Sequence, residues 1–131
     1  MSSWETLVLS VAVTAIYLVA LSHCTKGCVC ELFSEILDAK GVPYCFTGHE
    51  ALSGLYFSET PPTNYRDWKN ADYTIYDALA QELHERGVLC EPDSREPWFL
   101  CEAHDDKCLS DTLTAFEDAL PVTLDKLASQ K

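Results

Sequence analysis

The chain is short of positive charge. Nine Lys and Arg side chains stand against 21 Asp and Glu in 131 residues, a formal net charge of −12 and a pI near 4.5. Nucleic-acid binding draws its affinity from clustered cations on phosphates, so that partner class is excluded as a main reading. Attraction to an anionic lipid surface is excluded on the same ground. Glycine and proline are sparse, at five and six residues, and there is no internal repeat or low-complexity tract. An odd count of seven cysteines cannot pair completely within one chain, which points to a reducing compartment and a cytoplasmic location. Cys45, Cys90 and Cys101 sit in short apolar runs, where a free thiol behaves as a small hydrophobe. Also missing are G-x-S-x-G, the P-loop, G-x-G-x-x-G and H-E-x-x-H. What is present is 47% hydrophobic residues, too many for a disordered chain and enough for one core in one domain.

Charge of either sign is absent from Thr6 to Thr25, TLVLSVAVTAIYLVALSHCT. A stretch of that length fits a buried or interface helix, a membrane anchor, or a signal sequence cleaved near Ser22. Glu5 stands where a signal peptide carries its basic flank, and Lys26 favours a cytosolic C-terminal side if the segment spans. The division is therefore residues 1–27 as an apolar N-terminal helix and residues 28–131 as the folded domain, with membrane anchoring or secretion as alternatives to the cytoplasm.

Beyond it, Val29, Leu32, Phe33, Ile36 and Leu37 recur at helical spacing until Gly41 and Pro43 stop the helix. Tyr44–Thr47 and Ala51–Phe57, with Gly48-His49-Glu50 between them, read as an antiparallel pair. One long helix is expected from an Asn64 cap to Gly87, with Trp68, Ala71, Ile75, Ala78, Leu79 and Leu83 on its apolar face. On that reading Tyr65, Trp68, Tyr73 and Tyr76 seal a core and form no stacking platform. Val88–Cys90 and Trp98–Glu102 read as two more strands around a polar turn, Pro92–Pro97. A last helix starts after Asp105 and ends at Pro121. The fold class is α+β, a small, mainly antiparallel sheet covered by helices.

Chemistry-bearing residues are scattered. Cys24, Cys28 and Cys30 form a C-x3-C-x-C cluster beside His23, but a closed zinc site needs a second ligand pair that is not evident. Buried packing is the simpler reading, and no metal ligand is assigned. His104 precedes a helix in Glu102-Ala103-His104-Asp105, where local hydrogen bonding is its ordinary role. Asp105 and Asp106 are favourable charges at a helix start.

The order of short motifs is nonetheless informative. Ala39-Lys40-Gly41-Val42-Pro43, Leu52-Ser53-Gly54-Leu55-Tyr56-Phe57, the Pro61–Asp72 segment PPTNYRDWKNAD, Glu85-Arg86-Gly87-Val88, and Ala103-His104 followed by an acidic helix to Ala119-Leu120 come in that sequence. From about Val29 to Leu120 the chain resembles the C-terminal small domain of class III aminotransferases, in particular the glutamate-1-semialdehyde 2,1-aminomutase group. The resemblance implies a pyridoxal 5′-phosphate (PLP) enzyme that transfers an amino group or shifts it between neighbouring carbons. In that family the cofactor is a Schiff base on a lysine, with an acid at its ring nitrogen, both on the large domain. None of Lys26, Lys40, Lys69, Lys107, Lys126 and Lys131 matches that lysine, so no catalytic or cofactor-binding residue carries over. One position does: Ser94-Arg95-Glu96-Pro97-Trp98-Phe99 resembles the family's Ser-x-Phe-Glu segment near the active-site mouth, and Glu96 takes the glutamate's place. The segment here is one residue shorter and lacks the Phe, and a solvated turn glutamate is the plainer alternative.

Three functions follow as expectations. The first is a small domain that is inactive alone and works with a large-domain or full-length aminotransferase chain. The second is a non-catalytic interaction module that binds such a relative or self-associates. The third is an acidic domain anchored to a membrane through residues 6–25, with the fold serving as scaffold.

Overall fold

The computed structural model of the protein describes residues 26–49 and 51–130. Residues 6–25, on which the membrane and signal readings rest, lie outside them, as do His23 and Cys24. Among the described residues, no helix is long and apolar enough to cross a membrane.

Among the described residues, four helices accompany a three-stranded antiparallel sheet of order β1-β2-β3, as the α+β reading expects. Helix α1, Lys26–Lys40, buries Phe33 and Leu37, one turn apart on a single face. It ends where Gly41 turns left-handed at φ 64°. Strands β1, Cys45–His49, and β2, Leu52–Tyr56, pair with Phe46 opposite Leu55 and Gly48 opposite Ser53. The expected turn at Gly48-His49-Glu50 thus shifts: Gly48 and His49 are ladder residues. Gly48 has φ 98°, and a Cβ there would fall 2.1 Å from the Leu52 carbonyl oxygen, so only glycine lets the two backbones approach.

The single long helix is in fact two, α2 at Tyr65–Asn70 and α3 at Tyr73–Glu85. Asn64 caps α2 as expected, its side chain accepting from the Arg66 and Asp67 N–H groups. Ala71 then leaves the helix at ψ 159° between Asn70 and Asp72, residue types that stabilise non-helical backbone locally. Helix α3 directs Tyr76, Leu79, Ala80 and Leu83 inward.

Val88–Cys90 is not a strand. Gly87, at φ 83°, closes α3, and the Val88 N–H returns 2.9 Å to the Leu83 carbonyl in a Schellman-type ending. His84 Nε2 occupies the Cys90 carbonyl at 2.6 Å, and Leu89 is 93% exposed. The helix end consumes the backbone groups a ladder would need. Of the expected Trp98–Glu102 strand only β3, Trp98–Phe99, forms, opposite Ser53 and Leu52.

Helix α4, Asp106–Ala128, starts at the predicted Asp105 cap, which accepts from the Cys108 N–H, and runs straight through Pro121. Proline deprives the Glu117 carbonyl of its helical partner at an exposed residue. Phe116, Ala119 and Leu120 before the proline and Thr123 after it are all fully buried, so one apolar face spans the break and carries the helix on. The core centres on Phe33, whose ring meets Phe116 at 4.6 Å and Trp98 at 5.5 Å, both edge-on.

Candidate functional site

Glu96 lies on the turn between α3 and β3, and its side chain is exposed. The turn is built from its own residues. Asp93 accepts from the Arg95 N–H at 2.9 Å and from Arg95 Nε at 2.9 and 2.8 Å, while the Glu96 N–H bonds the Asp93 carbonyl at 3.1 Å. Hydrogen bonds from Arg95 hold the Asp93 carboxyl below its ordinary range. Asp77, nearby on α3, moves the other way, raised by burial and then by the charge of Asp93.

Three bonds from outside pin this turn. Trp68 Nε1 donates to Ser94 Oγ at 2.7 Å, and Ser94 is buried at 3% exposure. Tyr76 donates its hydroxyl to the Glu91 carbonyl at 2.9 Å and accepts from Trp98 Nε1 at 2.7 Å. Burial pushes the Tyr76 phenol well above its ordinary value, so it stays a neutral donor. Trp68 is also stacked between neighbours, with Tyr65 at 5.4 Å and Tyr73 at 5.1 Å, and the Arg95 guanidinium carbon is 5.0 Å from its ring centroid. Tyr65 is 60% and Tyr73 37% exposed. The expectation that these aromatics seal a core therefore holds for Tyr76 alone. The other three form a surface stack, with half-buried Trp68 between exposed Tyr65 and Tyr73.

A signal for this arrangement exists in the sequence. Tyr-Arg-Asp-Trp-Lys-Asn offers no apolar stripe to a core, so its tryptophan has to find a partner elsewhere.

The other candidates take structural roles. Cys30 Sγ faces Ser53 Oγ at 3.9 Å, and among the described residues no three His, Cys, Asp or Glu side chains converge on a common point. His104 Nδ1 accepts from the Cys101 N–H at 3.0 Å, the local role expected of it. Glu82, nearly fully buried, is bound by Arg86 and Lys126, whose hydrogen bonds lower its carboxyl. Burial raises the Cys90 thiol to about 11, which leaves it un-ionised and a poor nucleophile at neutral pH.

None of the described lysine side chains offers PLP a Schiff-base site. Holding it takes a lysine of depressed basicity facing a cavity, together with a phosphate cradle. Lys40 and Lys69 are exposed, and Lys107 and Lys126 are tied to Asp111 and Glu82, which raises both ammonium groups. A shallow groove formed by Ser58, Thr60, Pro61, Pro62, Asp67, Asn70 and Ala71 contains no cation.

No family model matches the chain. Among curated proteins it is similar to glutamate-1-semialdehyde 2,1-aminomutase of Bacillus subtilis, 29% identical over 87 residues. The enzyme of the same name from Thermus thermophilus is 29% identical over 86 residues. Each match covers 66% of this chain and 20% of the relative, so the chain spans about a fifth of their length. Among solved structures it is similar to the FumI protein of Sphingopyxis sp. MTA144 in its PLP internal aldimine form. That likeness has a TM-score of 0.61 and 22% identity, over 77% of this chain and 22% of FumI. An omega-transaminase from Sphaerobacter thermophilus gives a TM-score of 0.58 at 17% identity, over 76% of this chain and 23% of the other. The likeness in sequence to aminomutases and in fold to PLP-dependent transaminases, over 66–77% of the chain, supports a class III aminotransferase-like small domain.

Proposed function

We propose that this chain serves as the small domain of a PLP-dependent aminotransferase or aminomutase-type enzyme. It covers one side of an active site whose cofactor lysine and phosphate cradle lie on residues other than those described. The carrying observation is the match to an aminomutase over 87 residues. In this reading the Glu91–Pro97 turn faces the pocket mouth, Glu96 contacts substrate there, and the domain excludes water from the reaction. The partner is a large-domain or full-length aminotransferase chain, in the reducing compartment that five free, described cysteines suit. A second reading, self-association, is favoured by Leu52 and Phe99, paired across β2 and β3 and 41% and 62% exposed on the sheet face that the helices leave open.

Two experiments test the first reading. The purified chain incubated with PLP and then borohydride is expected to show no stoichiometric adduct on any one lysine and no amino transfer. Unaided turnover in a preparation free of other proteins overturns the reading. In the second, residues 29–120 replace the matched segment of the Bacillus subtilis aminomutase. The chimaera is expected to bind PLP and make product, and a folded, PLP-loaded chimaera without activity counts against the reading.

A further inference from the structure

Helix α2 raises a question of support. Its six residues bury no side chain, and a helix so short has no stability of its own. Asp67 ties it to the preceding loop at Thr63 and Asn64, and its long-range contacts run through Trp68. The indole N–H reaches a buried hydroxyl 26 residues away, on Ser94, and the ring lies against Arg95 and Tyr73. Tyr76 and Trp98 tie down the two ends of the same turn. The middle, where Ser94 and Arg95 lead into Glu96, is held from outside by Trp68.

We propose that Trp68 is the positioning residue of the Glu91–Pro97 turn, fixing Glu96 in one place by pinning Ser94 through its indole N–H and Arg95 through its ring. This rests on the reading of Glu96 as a substrate contact and adds what keeps that contact ordered before substrate arrives. An exposed turn with free middle residues would lose conformational freedom on binding, and a pinned one has already lost it.

The test uses the full chain and three substitutions. W68F keeps an aromatic ring and removes the N–H, S94A removes the acceptor, and S94T restores a hydroxyl. Amide hydrogen exchange is read at Glu96, whose N–H closes the turn, with Leu83 and Phe116 as core references. W68F and S94A are expected to speed exchange at Glu96 roughly ten-fold and to leave the core references within about two-fold, since local opening is separable from global unfolding. S94T is expected to restore slow exchange. Unchanged exchange at Glu96 in both W68F and S94A overturns the proposal. In the aminomutase chimaera, S94A is expected to raise KM roughly five-fold with kcat held within about two-fold, the pattern of lost uniform binding. Faster exchange with unchanged KM in an active chimaera overturns the link to substrate. An inactive, PLP-loaded chimaera with the unaltered turn instead overturns the small-domain reading, while the exchange result still decides whether Trp68 positions the turn.

Discussion

Removing the Tyr76 hydroxyl tests whether the turn and the core are one structure. Tyr76 is 2% exposed, and its oxygen makes two bonds, donating to the Glu91 carbonyl and accepting from Trp98. Phenylalanine at 76 keeps the ring and its burial, so no cavity opens. It does leave the Trp98 N–H and the Glu91 carbonyl without their partner, in a part-buried setting. A buried polar group left unsatisfied costs about 1–3 kcal/mol, and an ordinary hydrogen bond is worth about 1 kcal/mol net. Y76F is therefore expected to lose about 1–2 kcal/mol, a sizeable share of the roughly 5–15 kcal/mol that holds a domain together. For a domain of this size that lowers Tm by about 5 °C. Urea unfolding followed by circular dichroism measures it. W98F, which removes the donor, is expected to cost less when Y76F is already present than alone, with a coupling of about 1 kcal/mol. A Y76F loss below about 0.3 kcal/mol, or strict additivity of the pair, refutes the reasoning, because hydrogen bonds of this kind are worth more than that.

Other outcomes follow from the same physics. Glu82 has its carboxyl lowered from 4.5 by Lys126 and Arg86. The unfolded chain takes up that proton first, so the stability Glu82 contributes is present above about pH 4.5 and is lost as pH falls below it. Urea midpoints measured between neutral and acid pH should fall less steeply for E82Q than for the native chain. Cys90, raised from 9.0 to about 11 by burial, is expected to react with a maleimide more slowly at pH 8 than exposed Cys101 and Cys108. Mass spectrometry of the labelled peptides reads the order, and equal rates would show that the site is not closed to solvent. P121A restores an N–H to the Glu117 carbonyl and is expected to stabilise the chain by about 1–3 kcal/mol. A lower Tm would mean that α4 needs its proline.

Much of the fold was legible because short-range chemistry marks the ends of elements. Asn64 and Asp105 accept N–H groups at the helix starts where they were expected, and Gly41 and Gly87 adopt the left-handed backbone that ends helices. What escaped was decided by tertiary packing. Val88–Cys90 has strand-like residues, yet the ending of α3 and His84 claim its backbone groups first. Pro121 is a breaker only where nothing beyond it needs burying, and Thr123 lies beyond it fully buried. Ala71 fits the apolar spacing of a continuous helix, and periodicity cannot register a break that keeps the phase. Of the candidate site, Glu96 was legible by resemblance. The Trp68–Ser94 bond joins residues far apart in the chain, and no local pattern announces it.

The shortness of β3 has a consequence for how the sheet gives way. Among the described residues, only Leu52 and Ser53 in β2 have a strand on either side, while the Tyr56 end leans on β1. Under load or denaturant, then, the ribbon should fray from Tyr56 and Cys45 toward the hairpin. There Cys30 and Trp98 flank Ser53, like a zip whose last teeth are riveted to the cloth.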